Sequence, residues 1–155
     1  MPNLRTQRPV HHERQPSDVW TPGEAAQLDA LVAACAMVAC ADGWVTPEEQ
    51  RGARERMRRL EAVSVFGVDE AMAAFEGFVL RFEHDPADAR LAAEAAIRRM
   101  RGRRGPSRLL ISAACGVADA DGSLDAEERE QILRLCKMLD MDPGEFGLIA
   151  PVLRL

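Results

Sequence analysis

Ala41-Asp42-Gly43-Trp44-Val45-Thr46-Pro47-Glu48-Glu49 recurs 79 residues later as Ala120-Asp121-Gly122-Ser123-Leu124-Asp125-Ala126-Glu127-Glu128. The apolar run ahead of each copy agrees too, Val38-Ala39 against Val117-Ala118. In each copy a glycine follows an aspartate, where it can take positive φ and end the incoming helix. Thr46 or Asp125 then offers an oxygen to orphan amides, and paired glutamates fall in the first turn of a new helix, where its dipole favours them. The chain therefore reads as a helix-turn-helix unit written twice.

The same helix-start layout extends outward from these copies. Thr21-Pro22-Gly23-Glu24, Asp85-Pro86-Ala87-Asp88 and Asp142-Pro143-Gly144-Glu145 each give a cap acceptor, an early proline or glycine and a nearby carboxylate. These starts predict seven helices, over 22–40, 47–64, 69–83, 86–101, 106–118, 126–139 and 143–153. Apolar residues recur at helical spacing, as Leu28, Leu31, Val32 and Cys35 in the first and Ile132, Leu135, Cys136 and Leu139 in the sixth. Phe75, Phe78, Val79 and Phe82 form an aromatic stripe in the third, read as core. Gly102, Gly105 and Pro106 mark the break between the fourth and fifth. Alanine, leucine, glutamate and arginine dominate and there is no tyrosine. The expected fold is all-α, a single-domain bundle of about seven helices with a pseudo-two-fold internal repeat. A disordered tail is expected over 1–20 and the helical domain over 21–155.

At 155 residues, 47% of them hydrophobic, one core suffices, and a domain of this size buries about 70% of its unfolded surface. A net charge of −5 gives no footing for a general nucleic-acid binder. No apolar run approaches the roughly 20 residues of a membrane span. Met1 to Ser17 is polar and lacks the apolar stretch of a secretory signal; His11-His12 within it is not read as a metal site. Cys35, Cys115 and Cys136 fall on apolar helix positions and read as free buried thiols, while Cys40 lies nearest an acidic turn.

Gly122 and Glu128 stand six residues apart, as do Gly43 and Glu49, which is the spacing of an EF-hand loop. The first loop position, however, falls on Val117 or Val38, where calcium would need an oxygen among its roughly six to eight ligands. Both copies fail alike, so an ordinary EF-hand is excluded and a shorter acidic turn remains. One turn supplies two or three oxygen ligands; two turns facing one another supply four or more. The candidate ligands are Asp42, Glu48, Glu49, Asp119, Asp121, Asp125, Glu127 and Glu128. Carboxylates without histidine favour calcium, manganese or magnesium over softer ions. The alternative reading gives these residues to helix capping: Thr46 and Asp125 as caps, Glu49 and Glu128 completing capping boxes.

Arg98, Arg99, Arg101, Arg103, Arg104 and Arg108 crowd around the Gly102–Gly105 break. They read either as a solvated face or as a metal-independent docking patch, with Arg101, Arg103, Arg104 and the tryptophan Trp44 as candidate partner contacts. No catalytic constellation stands out. His84 has no nucleophile in a recognisable motif beside it, and no phosphate-binding glycine loop is present.

The paired Ala-Asp-Gly…Glu-Glu segments, the Val-Ala runs before them and the arginine-containing helices after them resemble the tellurite-resistance TerB family, over about residues 24 to 148. The resemblance implies an all-helical, non-enzymatic stress-response module with a divalent-cation site at clustered acids. It further implies protein partners, among them membrane-associated ter-system proteins, and a place in the cytoplasm or at the periphery of the inner membrane. By motif match, Asp42, Glu48, Glu49, Asp121, Glu127 and Glu128 fall on the family's acidic positions. The first copy departs from the acid-rich pattern, with Cys40 opposite Asp119 and Trp44 opposite Ser123, so the second copy is the stronger candidate.

Overall fold

In a computed structural model of the protein, residues 19–41, 46–118 and 124–148 are described. They form seven α-helices, a short 3-10 helix and no strand: α1 Ala25–Ala39, α2 Pro47–Arg59, α3 Glu61–Phe66, α4 Val68–His84, α5 Pro86–Arg98, α6 Arg104–Ala118, α7 Ala126–Leu139, then the 3-10 turn Pro143–Phe146. The bundle is built around α1, which packs against α4, α5, α6 and α7. Ala30, Leu31, Val32, Ala33, Ala34, Cys35, Ala36 and Val38 on it have no exposed surface. Its alanines explain how: side chains of one carbon let neighbouring helices approach closely on all sides.

The core that closes on α1 is aliphatic, with Leu110, Ile111, Ile97, Ile132, Leu135 and Leu139 fully or almost fully buried. The expected aromatic stripe on α4 divides. Phe75 and Val79 are buried, whereas Phe78 and Phe82 only lean on the core. Trp20, at the end of the stretch expected as a tail, is packed edge-on against Phe66 with ring centroids 5.6 Å apart.

Three expectations need correction. The first helix starts at Ala25, and Thr21 does not cap it. The chain makes a turn closed by Glu24 N–H donating to the Thr21 carbonyl, and the buried Gln27 side chain accepts from Thr21 N–H at 2.8 Å. The second helix is not continuous over 47–64. It breaks at Leu60, whose extended backbone (ψ 138°) ends α2 and starts α3. The last helix, expected over 143–153, is only the 3-10 turn, because Gly147 takes φ 72° and turns the chain out of register. Residues 149–153 of that expectation lie outside the described residues.

Candidate functional site

The helices that leave the two acidic turns begin alike. At the start of α2, Thr46 Oγ1 accepts from Glu49 N–H at 3.1 Å and Glu49 Oε1 accepts from Thr46 N–H at 3.2 Å. At the start of α7, Asp125 Oδ1 accepts from Glu128 N–H at 2.7 Å and Glu128 Oε1 accepts from Asp125 N–H at 3.1 Å. Both are complete capping boxes. Glu49, Asp125 and Glu128 therefore have a structural duty. Glu48 and Glu127 do not: both are exposed and form no ion pair or hydrogen bond among the described residues.

Each outgoing helix is packed on the helix that enters the other turn. From α2, Arg56 Nε donates at 2.5 Å to the carbonyl of Val117, in the last turn of α6, just ahead of the second acidic turn. There the guanidinium meets the negative end of the helix dipole. Reciprocally, α7 packs on α1. Arg90 of α5 spans the gap between them: it lines a groove with Met37, Cys40 and Ala41 and donates to Gln131 Oε1 on α7 at 3.2 Å. Arg56 lies nine residues beyond Pro47, about 14 Å of helix, so it is the body of α2, not its start, that meets the end of α6. Asp42, Trp44, Asp119 and Asp121 lie outside the described residues. Among the described residues no group of three or more His, Cys, Asp or Glu is arranged to hold a metal ion.

The arginine corner is largely tied into the protein itself. Arg103 makes a two-pronged pair with Glu24, at 2.6 and 3.2 Å, and holds the Glu24 carboxyl below the ordinary carboxylate range by hydrogen bonding to it. Arg104 and Arg108 share Glu145 at 3.5 and 3.6 Å, and Arg99 approaches Asp29 at 3.8 Å. Together these pairs fasten the α5–α6 connection to the start of α1 and to the 3-10 turn. Of the three arginines expected to meet a partner, only Arg101 is exposed without an ion pair among the described residues.

Sequence reasoning missed a second charged cluster. Glu94 on α5 is buried to 6% exposure, and its carboxylate takes a hydrogen bond from Arg134 of α7 at 3.0 Å with Arg98 at 3.5 Å and Arg90 at 3.8 Å. The spacing Arg90–Glu94–Arg98, two consecutive four-residue steps on one helix face, was the available signal. On the other side of α1, Arg54 of α2 grips Glu76 of α4 through both carboxylate oxygens. Burial pushes the Cys136 thiol up to about 12 and raises Cys35 further, so both are inert, as expected of core thiols.

A family profile described as tellurite resistance protein TerB matches residues 28–150. The chain belongs to the TerB family. The match runs from α1 through α7 and takes in both acidic turns of this TerB domain. No curated protein and no solved structure matches the chain. No helix among the described residues of the TerB bundle is long and apolar enough to cross a membrane.

Proposed function

We propose that this chain is a non-enzymatic TerB module that binds a divalent cation at its acidic turns and so adjusts a face that docks a protein partner in the cytoplasm or at the inner-membrane periphery. One observation carries the reading. The helix leaving each turn is packed on the helix entering the other, α2 on α6 with the Arg56–Val117 hydrogen bond and α7 on α1. This reciprocal packing is also what a pseudo-two-fold relation between the halves would produce. The second turn offers the larger set, Asp119, Asp121, Asp125, Glu127 and Glu128, and the first offers Asp42, Glu48 and Glu49. An all-oxygen set of this kind suits calcium, manganese or magnesium. The engagement of Glu49 and Glu128 in capping boxes makes Glu48 and Glu127 the described carboxylates with no competing structural role.

Calorimetric titration of the chelator-treated protein with calcium, manganese and magnesium tests this. A saturable one-site isotherm is expected, lost in the double variant Asp121→Asn with Glu127→Gln, which spares the Asp125–Glu128 cap and should leave helicity intact. Flat traces for all three ions, or an isotherm unchanged in that variant, would return the acids to capping alone.

A further inference from the structure

We propose that the crease between α5 and α7, where Arg90, Arg98 and Arg134 meet over Glu94, binds a soluble phosphate monoester. The floor of the crease is the buried carboxylate of Glu94. Arg134 Nε on α7 donates to its Oε2, Arg90 Nη1 approaches the same oxygen, and Arg98 Nη1 approaches Oε1. Two oxygens thus gather three guanidinium groups at one place, and all three side chains remain partly open to solvent. Arg134 uses only Nε on Glu94, and its two terminal nitrogens have no partner among the described residues. Arg98 likewise keeps Nε and Nη2. Such N–H forks take oxyanions two oxygens at a time.

The charges select the ligand. Three guanidinium groups at 3.0, 3.5 and 3.8 Å from one carboxylate leave two positive charges unmatched, on a chain whose net charge is −5. Carboxylates of the adjoining turns have cations of their own: Asp88 pairs with Arg81 and Asp29 with Arg99. Glu130, exposed one turn ahead of Arg134 on α7, is offset by exposed Lys137 one turn beyond it. Asp85 stands nine residues before Glu94 and Glu127 seven before Arg134, about 14 and 10 Å of helix. Both distances exceed the roughly 8 Å screening length of physiological salt. A phosphate monoester carries about two negative charges near neutral pH and three acceptor oxygens. One such group neutralises the cluster and engages more than one fork, whereas a carboxylate brings a single charge. The site does not depend on a cation at the acidic turns.

Replacing chloride by inorganic phosphate or glycerol phosphate at fixed ionic strength is expected to shift the Nε–H resonances of Arg98 and Arg134 saturably in the full chain, while acetate leaves them in place. Both arginines are half-exposed, so Arg98→Gln and Arg134→Gln should fold. Each should weaken phosphate binding about tenfold, the loss expected of one charge-assisted hydrogen bond. Arg134→Lys keeps the charge and loses the fork, so its affinity should fall between that of Arg134→Gln and the parent. Arg59→Gln, at an exposed arginine of α2, should change nothing. Shifts that do not saturate, an equal response to acetate, or an affinity untouched by Arg98→Gln and Arg134→Gln would each overturn the proposal. So would binding to vesicles containing phosphatidic acid with no response to either soluble probe, which would assign the crease to a lipid surface.

Discussion

Of its thirteen residues, α2 buries only Ala53 and Met57, whereas α7, its counterpart after the second acidic turn, buries Ile132, Leu135, Cys136, Met138 and Leu139. Both helices nevertheless begin on the same reciprocal cap. Local chemistry at a helix start and tertiary anchoring of its body are thus independent properties, and the duplication retains the first without the second. The first unit's outgoing helix is held largely by polar links, Arg54 to Glu76 and Arg56 to Val117. The second's is held by hydrocarbon. Paired surface charges contribute about 0–1 kcal/mol each, while a buried leucine contributes several times that. The first unit is therefore the looser of the two.

The largest effect that would sharpen this contrast is Leu135→Ala. It removes a fully buried side chain from α7 and is expected to lower global stability by about 2–5 kcal/mol in chemical denaturation. If it costs no more than a surface substitution, the anchoring difference fails.

Next come the caps. Thr46→Ala and Asp125→Ala each remove one side-chain acceptor worth about 1 kcal/mol. Because α7 is anchored and α2 is not, Asp125→Ala should lower the global unfolding free energy. Thr46→Ala should act mainly as faster amide hydrogen exchange confined to α2. Equal global losses from both would erase the distinction between the units.

The smallest effect concerns the Glu24–Arg103 pair, an exposed link that neither unit owns. Its hydrogen bond depresses the folded-state pKa of Glu24, so its contribution is present above the unfolded carboxylate value and is lost as pH falls through the folded value. Glu24→Gln should therefore narrow the gap in stability between neutral and acidic solution, by a margin that shrinks further in high salt. A variant as sensitive to acid as the parent would show that Arg103 holds nothing in place.

What the sequence made legible was local. Thr46, Asp85, Asp125 and Asp142 all accept amide hydrogen bonds where their spacing to proline and glutamate placed them, because a cap involves residues two or three apart. The break at Leu60 was not legible, because no proline or glycine marks it. What Leu60 packs on is 56 residues away: a Cβ at Gly116 of α6 would come within 3.1 Å of its Cδ2. The failed last helix did carry a signal, Gly147, whose positive φ ends the 3-10 turn. The burial of Glu94 was not legible because nothing along α5 announces Arg134, 40 residues on. For the acidic turns, the capping boxes were legible and are in place, while three of the eight candidate ligands, Asp42, Asp119 and Asp121, lie outside the described residues.

The enclosure of α1 bears on how such a chain can drift in sequence. A helix surrounded by α4, α5, α6 and α7, with alanine at the closest approaches, has no direction in which to grow. A valine or leucine at Ala33 or Ala34 must be matched by a smaller residue on a facing helix, or the neighbours are wedged apart. Change along α1 is therefore concerted with change on the helices around it. The outward face of α2, which touches little, is free to vary one residue at a time.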